Sequence, residues 1–248
     1  MERSNIPSLN YIDKTWNDEQ RRIIWTLSCK ARQPLQLEVD PVIATAFVIL
    51  QRYFRWTDEN GTQFDLLTLM VASIFDACKQ ADSFRTMQAI YSALFQICLS
   101  APSPLVQSLV LDKPPDLSPE MLSCITCAEF ELLKATDFDF KVDLPFSHFQ
   151  CFLNILRPLI PTQQFLNRLN SGIIDICLMI CSREYLDVPP EVSAIIATMD
   201  SFNDCPNVPE QTTKICQSLK EKYGPNVFII AQKSIEFEKS RTAFHPPK

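Results

Sequence analysis

Only three glycines, Gly61, Gly172 and Gly224, occur in this 248-residue chain, and no two are close together. Glycine makes up about 7% of residues in an average protein, so this chain is strongly depleted. A phosphate-cradling loop needs clustered glycines so that backbone N–H groups can approach the anion. Their absence argues against dinucleotide-binding folds, P-loop enzymes and protein kinases. Histidine is also scarce: only His148 and His245 are present. Histidine-based catalysis and multi-histidine metal centres therefore lack their raw material, and no cofactor is expected.

The chain is nevertheless rich enough in apolar residues (46%) to build an ordinary globular core. Its length suits one large domain or two of roughly 100 residues each. The net charge of -6 argues against a nucleic-acid partner, which calls for a basic face to neutralise phosphates. No apolar run reaches the roughly 18 residues of a membrane span, so no membrane association is expected. The opening Met1-Glu2-Arg3-Ser4-Asn5 is polar and lacks a signal-peptide core. Ten cysteines without a secretion signal suggest a reducing intracellular compartment, with thiols used as small buried hydrophobes.

Helical periodicity runs through almost the whole chain. Residues 17–32 form a helix carrying Ile23, Ile24 and Leu27 on one face. Asp40-Pro41 starts a second helix, which continues through Phe47, Leu50 and Phe54 and ends in the Trp56–Gly61 stretch. Asp65 caps a third helix, Leu66 to Lys79, that is apolar nearly all round; such a helix belongs at the centre of a bundle. Ser83 opens a fourth, with Phe84, Met87, Ile90 and Tyr91 on one side, and a proline-rich loop follows over roughly 100–117. Ser118-Pro119-Glu120 starts a fifth helix, and Asp137 to Pro145 reads as an extended junction. A second set then begins at Pro145-Phe146, with further helices around 163–183, from Pro189-Pro190 to Met199, and over 208–223. Val227 to Arg241 fits helix or strand equally well, and 242–248 reads as a disordered tail. The organisation is all-α, in two groups of about five helices.

Few residues stand out chemically. Cys124 and Cys127 have metal-ligand spacing, with Cys177 and Cys181 as the available second pair. All four fall inside helical patterns without a turn, so packing in the core is the expectation and a zinc site the alternative. Asp137 and Asp139, one residue apart on an extended strand, would share a face; solvated junction charges are the simpler reading. Arg21-Arg22 reads as a solvated basic pair or a substrate-docking element. Lys79 and Glu129 each sit on a largely apolar helix. Either their stems snorkel to water or they are placed to hold a partner's backbone groups.

Several stretches, taken in order, resemble the cyclin box. Val42 to Phe54 resembles the second helix of cyclins, closest to the transcription-type branch, and Leu69 to Asp82 resembles the third helix and its lysine-bearing end. Glu129 to Phe140 is similar to the fifth helix with its Phe-Asp ending, Val142 to Pro145 to the approach to a second box, and Tyr185 to Ile196 to a second-box helix. The likeness covers about residues 17–223. It implies tandem five-helix cyclin boxes: an N-terminal extension 1–16, a first box 17–141, a second box 142–225, and a C-terminal segment and tail 226–248.

The resemblance further implies a regulatory subunit that binds and activates a cyclin-dependent serine/threonine kinase. Such a subunit has no catalysis of its own and resides in the nucleus and/or cytoplasm. Lys79 and Glu129 correspond to the family's kinase-binding lysine and glutamate, and Leu133, Phe138 and Phe140 to apolar residues packed on the kinase. Arg22 and Ile24 match part of the substrate-docking motif, with Ser28 where that motif has tryptophan. Asp76, Gln80 and Ala81 depart from the family pattern. They motivate an alternative, a non-activating cyclin-fold adaptor. A DNA-binding general transcription-factor scaffold of the same fold would need a zinc ribbon and a basic face, which this chain lacks.

Overall fold

The computed structural model describes residues 18–60, 64–139, 141–202, 204, 205 and 208–240. These residues form eleven α-helices, with no strand among the described residues. They divide into two units, Met1–Val142 and Asp143–Lys248. None of the described helices is long and apolar enough to cross a membrane.

The first unit is built on α1 (Asp18–Leu35), α2 (Ala44–Asn60), α3 (Leu66–Gln80), α4 (Met87–Leu99), a single turn α5 (Pro104–Gln107) and α6 (Pro119–Ala135). Helix α3 packs against α2, α4 and α6. Leu66, Leu67, Leu69, Met70, Val71, Ala72 and Ile74 are all buried, as a helix with no polar face requires. Its start is fixed by Asp65, whose carboxylate accepts from the Thr68 N–H at 3.1 Å. Ser118 caps α6 in the same way, accepting from Met121 N at 3.2 Å. Asp40 is extended, in a wide turn over Val39–Ile43, and α2 begins after it.

Several expectations change. Helix α4 starts at Met87 with Thr86 as its cap, not at Ser83, and Phe84 lies outside the helix, 70% exposed. Helix α2, by contrast, ends at Asn60, inside the expected Trp56–Gly61 stretch. Arg21 is buried beside Asp18 rather than solvated. The proline-rich segment is anchored: Val106, Leu109 and Val110 are buried, and the Tyr91 hydroxyl donates to Pro114 O at 2.6 Å.

The extended junction is also interrupted at its start. Asp137 and Phe138 have φ of 52° and 58°. They close α6 with the paired bonds of a Schellman turn, Phe138 N to Leu133 O (2.8 Å) and Asp137 N to Lys134 O (3.0 Å). Asp137 and Asp139 therefore do not share a strand face.

The second unit comprises α7 (Pro145–Leu156), α8 (Thr162–Cys181), α9 (Pro190–Phe202), α10 (Val208–Tyr223) and α11 (Pro225–Ser240). Its third helix, α9, packs against the other four. Met179, Val192, Ile195, Cys216, Phe228, Ala231 and Ile235 form the core. The segment that fits helix or strand from sequence is thus the helix α11, which joins this core. Gly224, at φ 84°, separates α10 from α11 in a conformation that side chains rarely adopt.

Candidate functional site

The outer face of the first unit brings together Lys79, near the end of α3, and Glu129, midway along α6. They are 50 residues apart in sequence, yet Lys79 Nζ lies 2.5 Å from Glu129 Oε1. The same ammonium lies 2.7 Å from Asp76 Oδ1, one turn back on α3, and 4.7 Å from the centre of the Phe75 ring. The Lys79 side chain is 40% exposed and Glu129 16%, whereas Asp76 is buried to 1%.

The electrostatics follow from that burial gradient. Removal from water pushes the Asp76 carboxyl up to about 6; the Lys79 ammonium opposes this shift and the Glu129 carboxylate adds to it. Partial burial works against the charge on Lys79. Its polar contacts with Asp76 and Glu129, with their field, outweigh that cost and raise its pKa. Both oxygens of Asp76 are buried without a hydrogen-bond partner among the described residues, so Lys79 meets Oδ1 as an ion pair rather than as an aligned donor.

Helix α6, which carries Glu129, also bears one member of an exposed aromatic pair. Phe130 on α6 and Phe138 in the turn after it are each about half exposed, with ring centroids 6.0 Å apart in an edge-on arrangement. Lys134 Nζ covers the Phe130 ring at 4.7 Å. Left-handed backbone at a phenylalanine is unusual, and here it holds an apolar side chain in solvent. Glu129 and Leu133, four residues apart, occupy one face of α6, and Leu133 is half-buried.

The other sequence candidates fare differently. Phe140 lies outside the described residues. Ile24 is fully buried in the core and offers no surface to a substrate, while Arg22 is half-buried. Cys124 and Cys127 are exposed on α6 rather than packed in the core; Cys177 and Cys181 are buried. No cluster of three metal-ligating side chains occurs among the described residues. Buried thiols are poor nucleophiles here, since desolvation pushes Cys29 and Cys98 up to about 12.

Two features were not anticipated from sequence. Phe130 was missed because an apolar residue at helical spacing reads as core. The second is a cluster in the other unit, where Lys239 on α11 lies 2.7 Å from Asp175 Oδ1 on α8 and also contacts Asp200 on α9. Asp175 is buried to 1%, and desolvation pushes its carboxyl up to about 6 against the pull of Lys239. The available signal was a lone carboxylate inside an apolar helical run, Ile173-Ile174-Asp175-Ile176, as in Ile74-Phe75-Asp76-Ala77. A comparison with protein-family models finds no match, and no curated protein is significantly similar to the chain.

Proposed function

We propose that this chain is a cyclin-type regulatory subunit that binds and activates a cyclin-dependent serine/threonine kinase, in transcription or cell-cycle control. The observation that carries this reading is the surface pair Lys79–Glu129, joined at 2.5 Å across the third and last long helices of its unit. Lysine donors and a carboxylate acceptor side by side match the carbonyl and N–H groups of a partner's backbone. The exposed Phe130 and Phe138, on and just after the helix that carries Glu129, supply apolar area to a partner. Two successive sets of five long helices, each packed around its third member, support the same reading.

The mechanism is population shift. The free kinase favours an inactive placement of its regulatory helix, and the subunit binds the active placement more tightly. Moving that equilibrium from 1:99 to 99:1 takes about 5.5 kcal/mol of differential binding. A rigid helical face loses little ordering entropy in supplying it.

Affinity capture of the tagged chain, with wild type beside Lys79→Ala/Glu129→Ala, tests the reading. A stoichiometric protein kinase is expected with wild type. Its affinity is expected to fall at least about tenfold in the double variant, because hydrogen bonds to charged groups contribute about 1.5–3 kcal/mol each. Removing Lys79 strands Asp76, so Glu129→Gln serves as a second variant that keeps the Asp76–Lys79 contact. Unchanged affinity in both, or no kinase with wild type, would refute the reading.

Buried Asp76, at a position where the resemblance leads one to expect an apolar side chain, favours a second reading: a cyclin-fold adaptor that binds without activating. Phosphorylation of a generic peptide by the purified complex would eliminate it.

A further inference from the structure

The geometry points to Asp76 as a positioning residue of the Lys79–Glu129 site. Its ionised carboxylate holds the ammonium in place over Glu129, and its protonation lets that ammonium go. This inference rests on the partner-binding reading of the site.

A lysine ammonium has three donors and four rotatable bonds behind it, so an unanchored Lys79 would sample many positions. The buried Asp76 charge holds it at 2.7 Å while Glu129 accepts a hydrogen bond from it at 2.5 Å. The ammonium is thereby kept at a defined place beside a carboxylate, where a partner can meet it. Asp76 has no other described role that would explain a carboxylate at 1% exposure in a largely apolar helix, with neither oxygen in a hydrogen bond among the described residues. A buried carboxylate held by one cation is poised to lose its charge.

The charged groups acting on Asp76 are Lys79 from its own helix and Glu129 from α6. Helix α4 carries no charged side chain. Among the described residues, none on α1, α2 or the turn between them acts on it. Burial places the carboxyl's change of state at about 6. The site is therefore set at neutral pH and relaxed in mild acid.

The first measurement needs no partner. The side-chain NMR signal of Lys79, identified by its loss in Lys79→Arg, is followed in the full chain between pH 5 and 7.5. It is expected to move through an inflection near 6 in wild type and to stay still in Asp76→Asn. No inflection, or the same one in both proteins, would overturn the inference.

The second measurement is the affinity of the kinase recovered by capture. Wild type is expected to lose about fourfold between pH 7.5 and 5.5, from the falling ionised fraction. Asp76→Asn should bind at the low-pH level throughout. A pH-independent wild-type affinity would overturn the role of Asp76 in binding. Recovering no kinase would instead refute the functional reading, and the Lys79 titration would still decide whether Asp76 governs the lysine.

Discussion

Two aspartates, Asp76 and Asp175, share one arrangement: each is buried to 1%, lies 2.7 Å from a lysine ammonium, and has its carboxyl raised to about 6. Their effect on stability has an unusual sign. An acid whose pKa is higher folded than unfolded binds more protons in the native state, so folding stability falls as pH rises through the interval between the two values. Between pH 7 and 5 the chain should therefore become more stable on acidification, by about 1.3 kcal/mol per group. Thermal denaturation across that range is expected to show a rising Tm, with the rise reduced in Asp76→Asn and again in Asp175→Asn. A Tm that falls steadily from pH 7 to 5 would contradict this account. Asp76 meets a lysine one turn along its own helix, a pair that helical spacing allows, whereas the Glu129 that shares this lysine is 50 positions from it. The lone charge at Asp175 was visible in its apolar run, but its lysine, Lys239, lies 64 positions away.

Helix boundaries were legible where a single cap signal stood alone. Asp65 and Ser118 start α3 and α6 as their side chains predict. Ser83 and Thr86 compete for the start of α4, and Thr86 prevails because its hydroxyl accepts from Ala89 N at 3.2 Å. The start of the junction after α6 was misread because Asp137 and Phe138 adopt left-handed backbone without glycine, which no local signal announces. Removing a cap should cost about 1 kcal/mol, so Asp65→Ala is expected to lower the denaturation midpoint without altering helix content. Crossing helices impose a sharper demand at Gly172 in α8. A Cβ there would lie 2.3 Å from Phe149 Cζ and 2.8 Å from Cε2 on α7. Gly172→Ala should destabilise by about 1–3 kcal/mol through overpacking, and Phe149→Leu in the same chain should recover part of the loss. Additive losses in the double variant would show that the two positions do not crowd each other.

All-α character and two successive helix sets were evident from periodicity, because a helix face is written locally. What periodicity cannot supply is which faces meet. It therefore left α11 undecided and gave no hint that Lys79 touches Glu129. Each unit has its own apolar core, with α3 and α9 at the centres. Residues 143–248 expressed alone are accordingly expected to be helical and to unfold in one cooperative transition, as followed by circular dichroism. A gradual, non-cooperative loss of signal would show that this core depends on the preceding residues.

The place of α11 also bears on how the protein is made. Phe228, Ala231 and Ile235 enter the second core from the last described helix. Ribosomal synthesis delivers them after every other wall of that core has already emerged. Until they arrive, the seats they fill on α8 and α9 stay open to chaperones. A nascent chain released ahead of Pro225 would keep that apolar surface, which cellular quality control is equipped to notice.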